Sequence, residues 1–214
     1  MKPPRLVQSA PFHAKRRFSS KGACSGVGQC GAPARRRVVE EHRPGPPPST
    51  EKEGPVAKRR IIPRKEWGAA PPTGSRIPQR PFEVVVHHTV YPTLRRAATK
   101  KRESARLRAI QREHQAQGWI DIGYHLIIFP SGRVYRGRPL KTVGAHVESH
   151  NTGRIGIAFD GNFQTSTPTR AAIDTLVWLV RRHRVLRGMR VVGHRDFGGT
   201  ACPGDNLYPI TKKL

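Results

Sequence analysis

The sequence predicts an α/β fold in which a mixed central β-sheet is flanked by helices. Residues 83–89 form a valine-rich run that ends in two histidines, which is typical of a buried central strand. Residues 171–186 place apolar side chains at helical spacing, with arginines on the opposite side. Because strands and helices intermingle and several loops are too short for a helical crossover, we expect both parallel and antiparallel strand pairs.

The other elements can be taken in chain order. A short segment with an aromatic anchor at 64–69 opens the domain, and a basic helix runs from residue 94 to a stop at Gly118. Thr167 and Pro168 are the predicted start of the second helix, with the threonine as its N-cap. The remaining predicted strands are a hairpin of 124–129 with 133–137, a buried strand at 155–159 and a last strand at 189–194.

The first 60 residues differ in composition from the rest of the chain. They are rich in Pro, Gly, Ser and Arg and contain few large apolar residues. We therefore predict a disordered basic tail at 1–60, followed by a folded domain at 61–214. Cys24 and Cys30 lie in this tail, where we interpret them as free thiols, and no disulfide framework is expected.

The charge of the chain is extreme. Lys and Arg number 40 against 14 Asp and Glu, which gives a formal net charge of +26. Such a field favours polyanionic partners, namely nucleic acid, anionic lipid or the acidic polymers of a bacterial envelope, which the tail would contact. No apolar run approaches the roughly 20 residues of a membrane span, so we expect no stable membrane insertion, and we expect a monomer.

Candidate metal ligands lie near the end of the chain. Within residues 191–204 an apolar pair leads to His194, a glycine-rich turn follows, and Cys202 stands before Pro-Gly. Imidazole nitrogen and thiolate suit Zn²⁺, and a catalytic zinc takes three protein ligands and leaves one position to water. Because neighbouring strand residues point to opposite faces, only one of the two histidines that end the first strand can be the third ligand. The candidates for that third ligand are His87, His88, His114, His125 and His146.

Several motifs follow one another along the chain in a characteristic order. They are Arg64-x-x-Trp67-Gly68-Ala69, Val86-His87-His88-Thr89, residues 118–125, Gly132-x-Val134-Tyr135-x-Gly137-Arg138, Val143-Gly144-Ala145-His146, residues 151–161, and Gly193-His194-Arg195 through Cys202-Pro203-Gly204. In this order they resemble the type 2 N-acetylmuramoyl-L-alanine amidases, a group that includes phage T7 lysozyme and the peptidoglycan recognition proteins. The resemblance covers about residues 61–212, and several ordered motifs are more specific than any single one.

The resemblance implies a zinc ion held by His87, His194 and Cys202. It implies that the protein hydrolyses the amide bond between N-acetylmuramic acid and L-alanine in bacterial peptidoglycan, and therefore acts at the cell wall. The first residues contain no apolar stretch of a secretory signal, so we expect another exit route, such as holin-assisted release.

Further site residues follow from the same resemblance. Tyr124 falls on the family's catalytic tyrosine, and Thr200 on a position where members carry Lys or Thr. Some amidases of the superfamily place a glutamate base where this chain has Ala158, so the tyrosine-type arrangement is expected. Asp196 is interpreted either as an acceptor for the second ring N–H of His194 or as a turn residue. The candidate substrate contacts are His88, His146 and Asn151.

Two alternative functions stay open. A non-catalytic peptidoglycan-binding receptor usually lacks one metal ligand, and here all three are present. A nucleic-acid-binding or polymerase-binding protein would explain the charge, but aromatic residues are sparse around the basic clusters.

Animal recognition proteins of the family usually carry a cysteine pair shortly after the first histidine motif. Because residues 90–110 contain no cysteine, we expect a bacterial or phage enzyme, such as an endolysin.

Overall fold

The computed structural model describes residues 59–214. The predicted tail, with Cys24 and Cys30, lies outside the described residues except for Arg59 and Arg60. The strands are β1 (Ile61–Ile62), β2 (Glu83–His88), β3 (Leu126–Ile128), β4 (Val134–Arg136), β5 (Arg154–Phe159) and β6 (Arg190–Gly193). The helices are α1 (Arg64–Trp67), α2 (Lys100–Ala116), α3 (Arg170–Arg182) and α4 (Tyr208–Thr211), with a 3-10 helix at His194–Phe197.

The six strands form one sheet in the order β1-β4-β3-β5-β2-β6. β3 and β4 pair antiparallel as the predicted hairpin, whereas the other neighbouring strands pair parallel. The predicted mixed sheet flanked by helices is therefore confirmed. β2 lies between β5 and β6 and is buried along its whole length, which explains its valine-rich sequence.

Alternation along β2 decides where its two histidines point. Val84 and Val86 belong to the core cluster that contains the buried residues of α3. Val85 lies on the opposite face and belongs to a different cluster. Because side chains alternate with a period of two, His87 shares the face of Val85 and His88 shares the face of Val86. The two histidines therefore end the same strand on opposite faces of the sheet.

The other face of the sheet carries a second core under α1 and α2. Trp67, the predicted aromatic anchor, is fully buried there among residues of both helices and of β3 and β4. Its indole N–H donates a hydrogen bond to the carbonyl oxygen of Arg136 at 2.9 Å, which ties α1 to β4. None of the helices in residues 59–214 is both long and apolar enough to cross a bilayer.

Both long helices begin later than the sequence predicts. The chain turns at 95–98 before α2, and Thr99 then caps the helix by accepting a hydrogen bond from the N–H of Arg102. Thr169 rather than Thr167 caps α3, and its hydroxyl accepts a hydrogen bond from the N–H of Ala172. Either threonine is a suitable N-cap by type, so the sequence could not choose between them. α3 ends at residue 182 because residues 183–187 continue as turns.

Candidate active site

Three side chains with metal-binding atoms converge at the carboxyl end of the parallel strands. His87 ends β2, His194 directly follows β6, and Cys202 lies in the loop beyond. One donor atom from each lies within 4.8 Å of the others, and this is the one such cluster of His, Cys, Asp or Glu in residues 59–214. Because β2 and β6 are neighbouring parallel strands, their ends deliver both histidines to the same edge of the sheet.

The loop that carries Cys202 is fixed by its own backbone. The N–H of Arg195 donates to the carbonyl oxygen of Cys202 at 2.8 Å, and the N–H of Cys202 donates to the Thr200 hydroxyl at 3.1 Å. The thiol sulfur accepts a hydrogen bond from the N–H of His88 at 3.4 Å. These contacts hold the sulfur beside the end of β2.

The donor atoms fit a zinc ion. Nδ1 of His87 lies 3.7 Å from Sγ of Cys202. Tetrahedral zinc, with its usual bond lengths to nitrogen and sulfur, would separate two such ligand atoms by about 3.5 Å. The ring centroids of His87 and His194 lie 4.6 Å apart. Two imidazoles and one thiolate, with one position left for water, are a typical catalytic zinc set.

Burial keeps the two histidines of the cluster in the neutral form that can bind a metal. It lowers the pKa of His87 well below its ordinary value and lowers the pKa of His194, so both rings are neutral at physiological pH. Burial also raises the pKa of the Cys202 thiol to about 12. A metal ion must therefore displace the thiol proton when it binds.

His146 contacts His87 on the side away from the sulfur. Nδ1 of His146 lies 3.0 Å from Nε2 of His87, and the His146 side chain is buried. If Nδ1 of His87 faces the metal, its Nε2 carries the ring proton and donates it to His146. The Asn151 amide oxygen accepts hydrogen bonds from the N–H groups of His146 and Val147, at 2.7 and 3.0 Å, which fixes this loop. His125 packs edge-on against the His146 ring, with ring centroids 5.5 Å apart.

Glycines make room for the His146 ring. A Cβ atom built on Gly156 would lie 2.6 Å from Cγ of His146, which is closer than real contacts allow. A Cβ atom on Gly144 would also collide with this ring. β5 and the loop after Thr142 therefore approach His146 as closely as they do only because both positions lack side chains.

Tyr124 and Thr200 lie next to members of the cluster, Tyr124 beside His87 and Thr200 beside Cys202. The Tyr124 ring lies 5.4 Å from the His87 ring, and burial raises the pKa of its hydroxyl. No group of residues 59–214 forms a hydrogen bond with that hydroxyl, which leaves it free for a ligand. The Thr200 oxygen accepts the N–H of Cys202, so its own hydrogen is available to a second acceptor.

An open cavity of about 560 Å³ adjoins the cluster. It is lined by the loop at 147–150, by the segment 197–200 and by His194. Ser149, in the first wall, has a positive φ of 59°. The cavity is large enough for an extended ligand that would reach His194 and Thr200 together.

Comparison with known proteins assigns the domain. Residues 78–205 match the family model for N-acetylmuramoyl-L-alanine amidase (Amidase_2). The chain belongs to this family. The human protein named N-acetylmuramoyl-L-alanine amidase is 40% identical over 160 residues, which are 71% of this chain and 28% of that protein. The chain thus spans under a third of the length of this amidase relative.

The matches with shorter relatives cover most of the length of those proteins. Peptidoglycan-recognition protein SC2 of Drosophila melanogaster is 36% identical over 154 residues, which are 69% of this chain and 82% of that protein. The solved structure of peptidoglycan recognition protein-LE in complex with tracheal cytotoxin is 30% identical and superposes with a TM-score of 0.66. The superposition covers 72% of this chain and 93% of the chain in the solved structure. These relatives include animal proteins, and a bacterial or phage source for this amidase-family chain stays a prediction.

Two residues predicted to contact substrate have internal partners in this amidase-family domain. The His88 ring faces away from the cluster, where its Nδ1 accepts the N–H of Phe163 at 3.2 Å and its ring stacks on the Phe163 ring. The Asn151 oxygen is used by the loop of His146. Neither residue lines the cavity beside His194, and their contact with substrate stays a prediction.

Asp196 lies in the 3-10 helix that follows β6. Its carboxylate accepts hydrogen bonds from the N–H of Gly193 at 2.8 Å and from the hydroxyl of Tyr208. No ring nitrogen of His194 donates to it within residues 59–214. Of the two interpretations of Asp196, the structure favours a local structural role, as a helix cap rather than as a turn residue.

Proposed function

We propose that the domain hydrolyses the amide bond between N-acetylmuramic acid and L-alanine in bacterial peptidoglycan, with zinc held by His87, His194 and Cys202. One observation carries this proposal: a complete two-nitrogen, one-sulfur donor set lies beside an open cavity that one of its members, His194, lines. The name of the human relative, N-acetylmuramoyl-L-alanine amidase, supports the reaction, and the cytotoxin complex of a family member supports a peptidoglycan ligand.

Zinc at this position would supply a Lewis acid that polarises the amide carbonyl and activates water. Side chains of the domain would orient the water and stabilise the developing negative charge. The unpartnered Tyr124 hydroxyl would orient the attacking water or hold the carbonyl oxygen as it becomes negative. Thr200 would donate its free hydrogen to the same oxygen, as preorganised donors do in amide hydrolysis. Ala158 pairs with His87 across the sheet, so β5 offers no carboxylate at this level.

His146 would support the reaction through His87 rather than by touching substrate. Its ring is buried between two glycines, and its Nδ1 meets the nitrogen of His87 that does not face Cys202. A hydrogen bond there would fix the tautomer and orientation of the ligand ring. We therefore reassign His146 from a substrate contact to a positioning residue within this proposal.

The decisive experiment is mass spectrometry of purified peptidoglycan after incubation with the full chain. We expect intact glycan strands and free peptides that begin with L-alanine, lost with a zinc chelator and restored by added Zn²⁺. Cys202→Ala should abolish release, whereas Arg170→Gln, an exposed change on α3, should not. Failure of the wild-type chain loaded with zinc to release peptide would overturn the proposal.

A non-catalytic receptor is the second candidate, because several relatives are named peptidoglycan-recognition proteins. The same experiment separates the two functions. Sedimentation of the chain with peptidoglycan, without any released peptide, would favour the receptor. The proposed contact of the basic tail with anionic envelope polymers and the holin-type exit stay predictions.

A further inference from the structure

A second cavity, of about 360 Å³, lies on the opposite face of the sheet from His87. It opens between residues 136–141 and residues 183–185. Arg136 ends β4 two residues after Val134, which belongs to the core beneath α3. By strand alternation Arg136 therefore points to the α3 side, whereas His87 points to the other side. We call this cavity the basic cleft.

The basic cleft carries only positive formal charge. Arg136, Lys141 and Arg184 line it, and no Asp or Glu does so. Burial lowers the pKa of the Arg136 guanidinium. Burial first, and then the charges of Arg136 and Arg184, lower the pKa of His183 beside them. The lowered pKa values of Arg136 and His183 agree with a local excess of positive charge that no acidic side chain in the lining offsets.

Arg136 differs from every comparable arginine in the described part of the chain. Ten arginines of residues 59–214 are partly or fully buried, and nine of them donate a hydrogen bond to a carboxylate or carbonyl oxygen. Arg138, two positions away, donates to the carbonyl oxygens of Asp121, Ile122 and Val143. Arg136 alone among the ten has no acceptor within residues 59–214.

The guanidinium nitrogens of half-buried Arg136 still reach solvent and have no acceptor within residues 59–214, so they are available to donate to an anion that enters the cleft. The neighbouring segments add two more cations instead of a carboxylate. Such an arrangement is stabilised when an anion with several oxygens enters and accepts from the planar fork of the arginine. The absent partner is therefore expected to come from a ligand.

We propose that the basic cleft binds a phosphodiester group of a polyol-phosphate polymer. Three cations around a cavity larger than a free phosphate ion can pair with successive phosphodiester groups of a polymer, which together carry more negative charge than a single carboxylate. The imidazole of His183 is the one aromatic ring among the lining residues, and no Phe, Tyr or Trp accompanies it to form a stacking platform for nucleobases, which disfavours nucleic acid. The proposal that the cleft binds phosphate does not depend on the proposed function, whereas the choice of an envelope polymer as the ligand rests on it.

Calorimetry with a short poly(glycerol phosphate) oligomer tests the proposal, using the full chain at constant ionic strength. Arg136→Gln should weaken binding about tenfold or more, as expected for losing a charged hydrogen-bond donor. Arg181→Gln is the matched control, because it removes the same charge from an exposed position on α3 outside the cleft. We expect it to change the affinity by less than about twofold. Lys141→Gln is a second cleft variant that should also weaken binding. It serves as the test if Arg136→Gln fails to fold.

Three outcomes would overturn the proposal. The first is no measurable binding of the oligomer by the wild-type chain. The second is an equal loss in Arg136→Gln and Arg181→Gln, which would show attraction by overall charge alone. The third is tighter, Arg136-dependent binding of a single-stranded DNA oligomer. Peptide release by Arg136→Gln is measured in parallel, so that a failure of the amidase proposal is recognised separately from a failure of this one.

Discussion

The imidazole of His87 is held from both sides. Its Nε2 lies 3.0 Å from Nδ1 of His146, and its Nδ1 lies 3.7 Å from Sγ of Cys202. One ring therefore links a buried histidine to the metal-binding sulfur, and the orientation of the ring depends on both neighbours.

Loss of His146 should weaken zinc binding without removing any ligand. Supporting partners of ligand histidines typically contribute 10–100-fold in metal affinity, so we expect His146→Ala to lower the zinc affinity by about that factor. Competition with a fluorescent chelator measures it, and the absorption spectrum of the Co²⁺ form reports the ligand geometry. His183→Ala, outside the site, serves as the control. An affinity equal to that of the control would contradict the positioning role.

Gly156→Ala should have the same effect by another route. The new methyl group would collide with the His146 ring and push it off His87, at a cost of about 1–3 kcal/mol in the free energy of unfolding. Gly188→Ala is a useful comparison, since its positive φ of 78° makes alanine strained while no atom lies near the new Cβ. We expect both variants to lose stability by urea unfolding, but only Gly156→Ala to lose zinc affinity.

Tyr124→Phe should separate catalysis from folding. The hydroxyl has no hydrogen-bond partner within residues 59–214, so its removal should leave the zinc affinity and the thermal midpoint close to wild type. Peptide release should fall by about 10²–10³, the usual loss when one oxyanion donor is removed. Initial rates on soluble muropeptide give the result. Full turnover by the variant would refute the assigned role.

Acid should destabilise the fold through its buried histidines. Burial lowers the pKa of both His88 and His125 to about 4, below the value near 6.5 of an unfolded chain. The neutral rings are therefore fully stabilising above about pH 6.5, and this stability is lost as the pH falls toward 4. Each group contributes up to about 1.4 kcal/mol per pH unit in that window. Urea unfolding of the zinc-free chain at several pH values between these limits measures the slope.

Asp160 should oppose that trend. Burial raises its pKa to about 6, although Arg106 donates a hydrogen bond to one of its oxygens. A carboxyl group with a raised pKa favours the fold at low pH and disfavours it as the pH rises through 6. Asp160→Asn should therefore make the acid-induced loss of stability steeper. A slope identical to that of wild type would show that the carboxyl group keeps an ordinary pKa.

Much of the site could be predicted from the sequence, because the positions of its residues depend on the strands that carry or precede them. Alternation along one strand places His87 and His88 on opposite faces, and the resemblance to the amidase family then selects His87. The position of His194 follows from the strand that precedes it. The contact between His146 and His87 was not predictable, since it joins a loop and a strand 59 residues apart through the space left by two glycines. That Arg136 has no acceptor within residues 59–214 could not be predicted either, because it depends on which carbonyl groups the folded chain places nearby.

Helix boundaries were the least predictable part of the fold. Thr167 and Thr169 are chemically equivalent caps, and the choice of Thr169 follows from a tertiary contact in which its hydroxyl donates to the carbonyl oxygen of Pro130 at 2.6 Å. The sequence contains no local signal for that contact.

The position of β2 between β5 and β6 has a consequence for how the protein would use zinc. Pairing with β5 continues through His88, so the strand that carries the first ligand is anchored by the core and by backbone pairing on both sides. We therefore expect the chain to fold without an ion, unlike small zinc domains that are unfolded without metal. If zinc binds as proposed, removal and return of the ion should switch activity off and on without unfolding the domain.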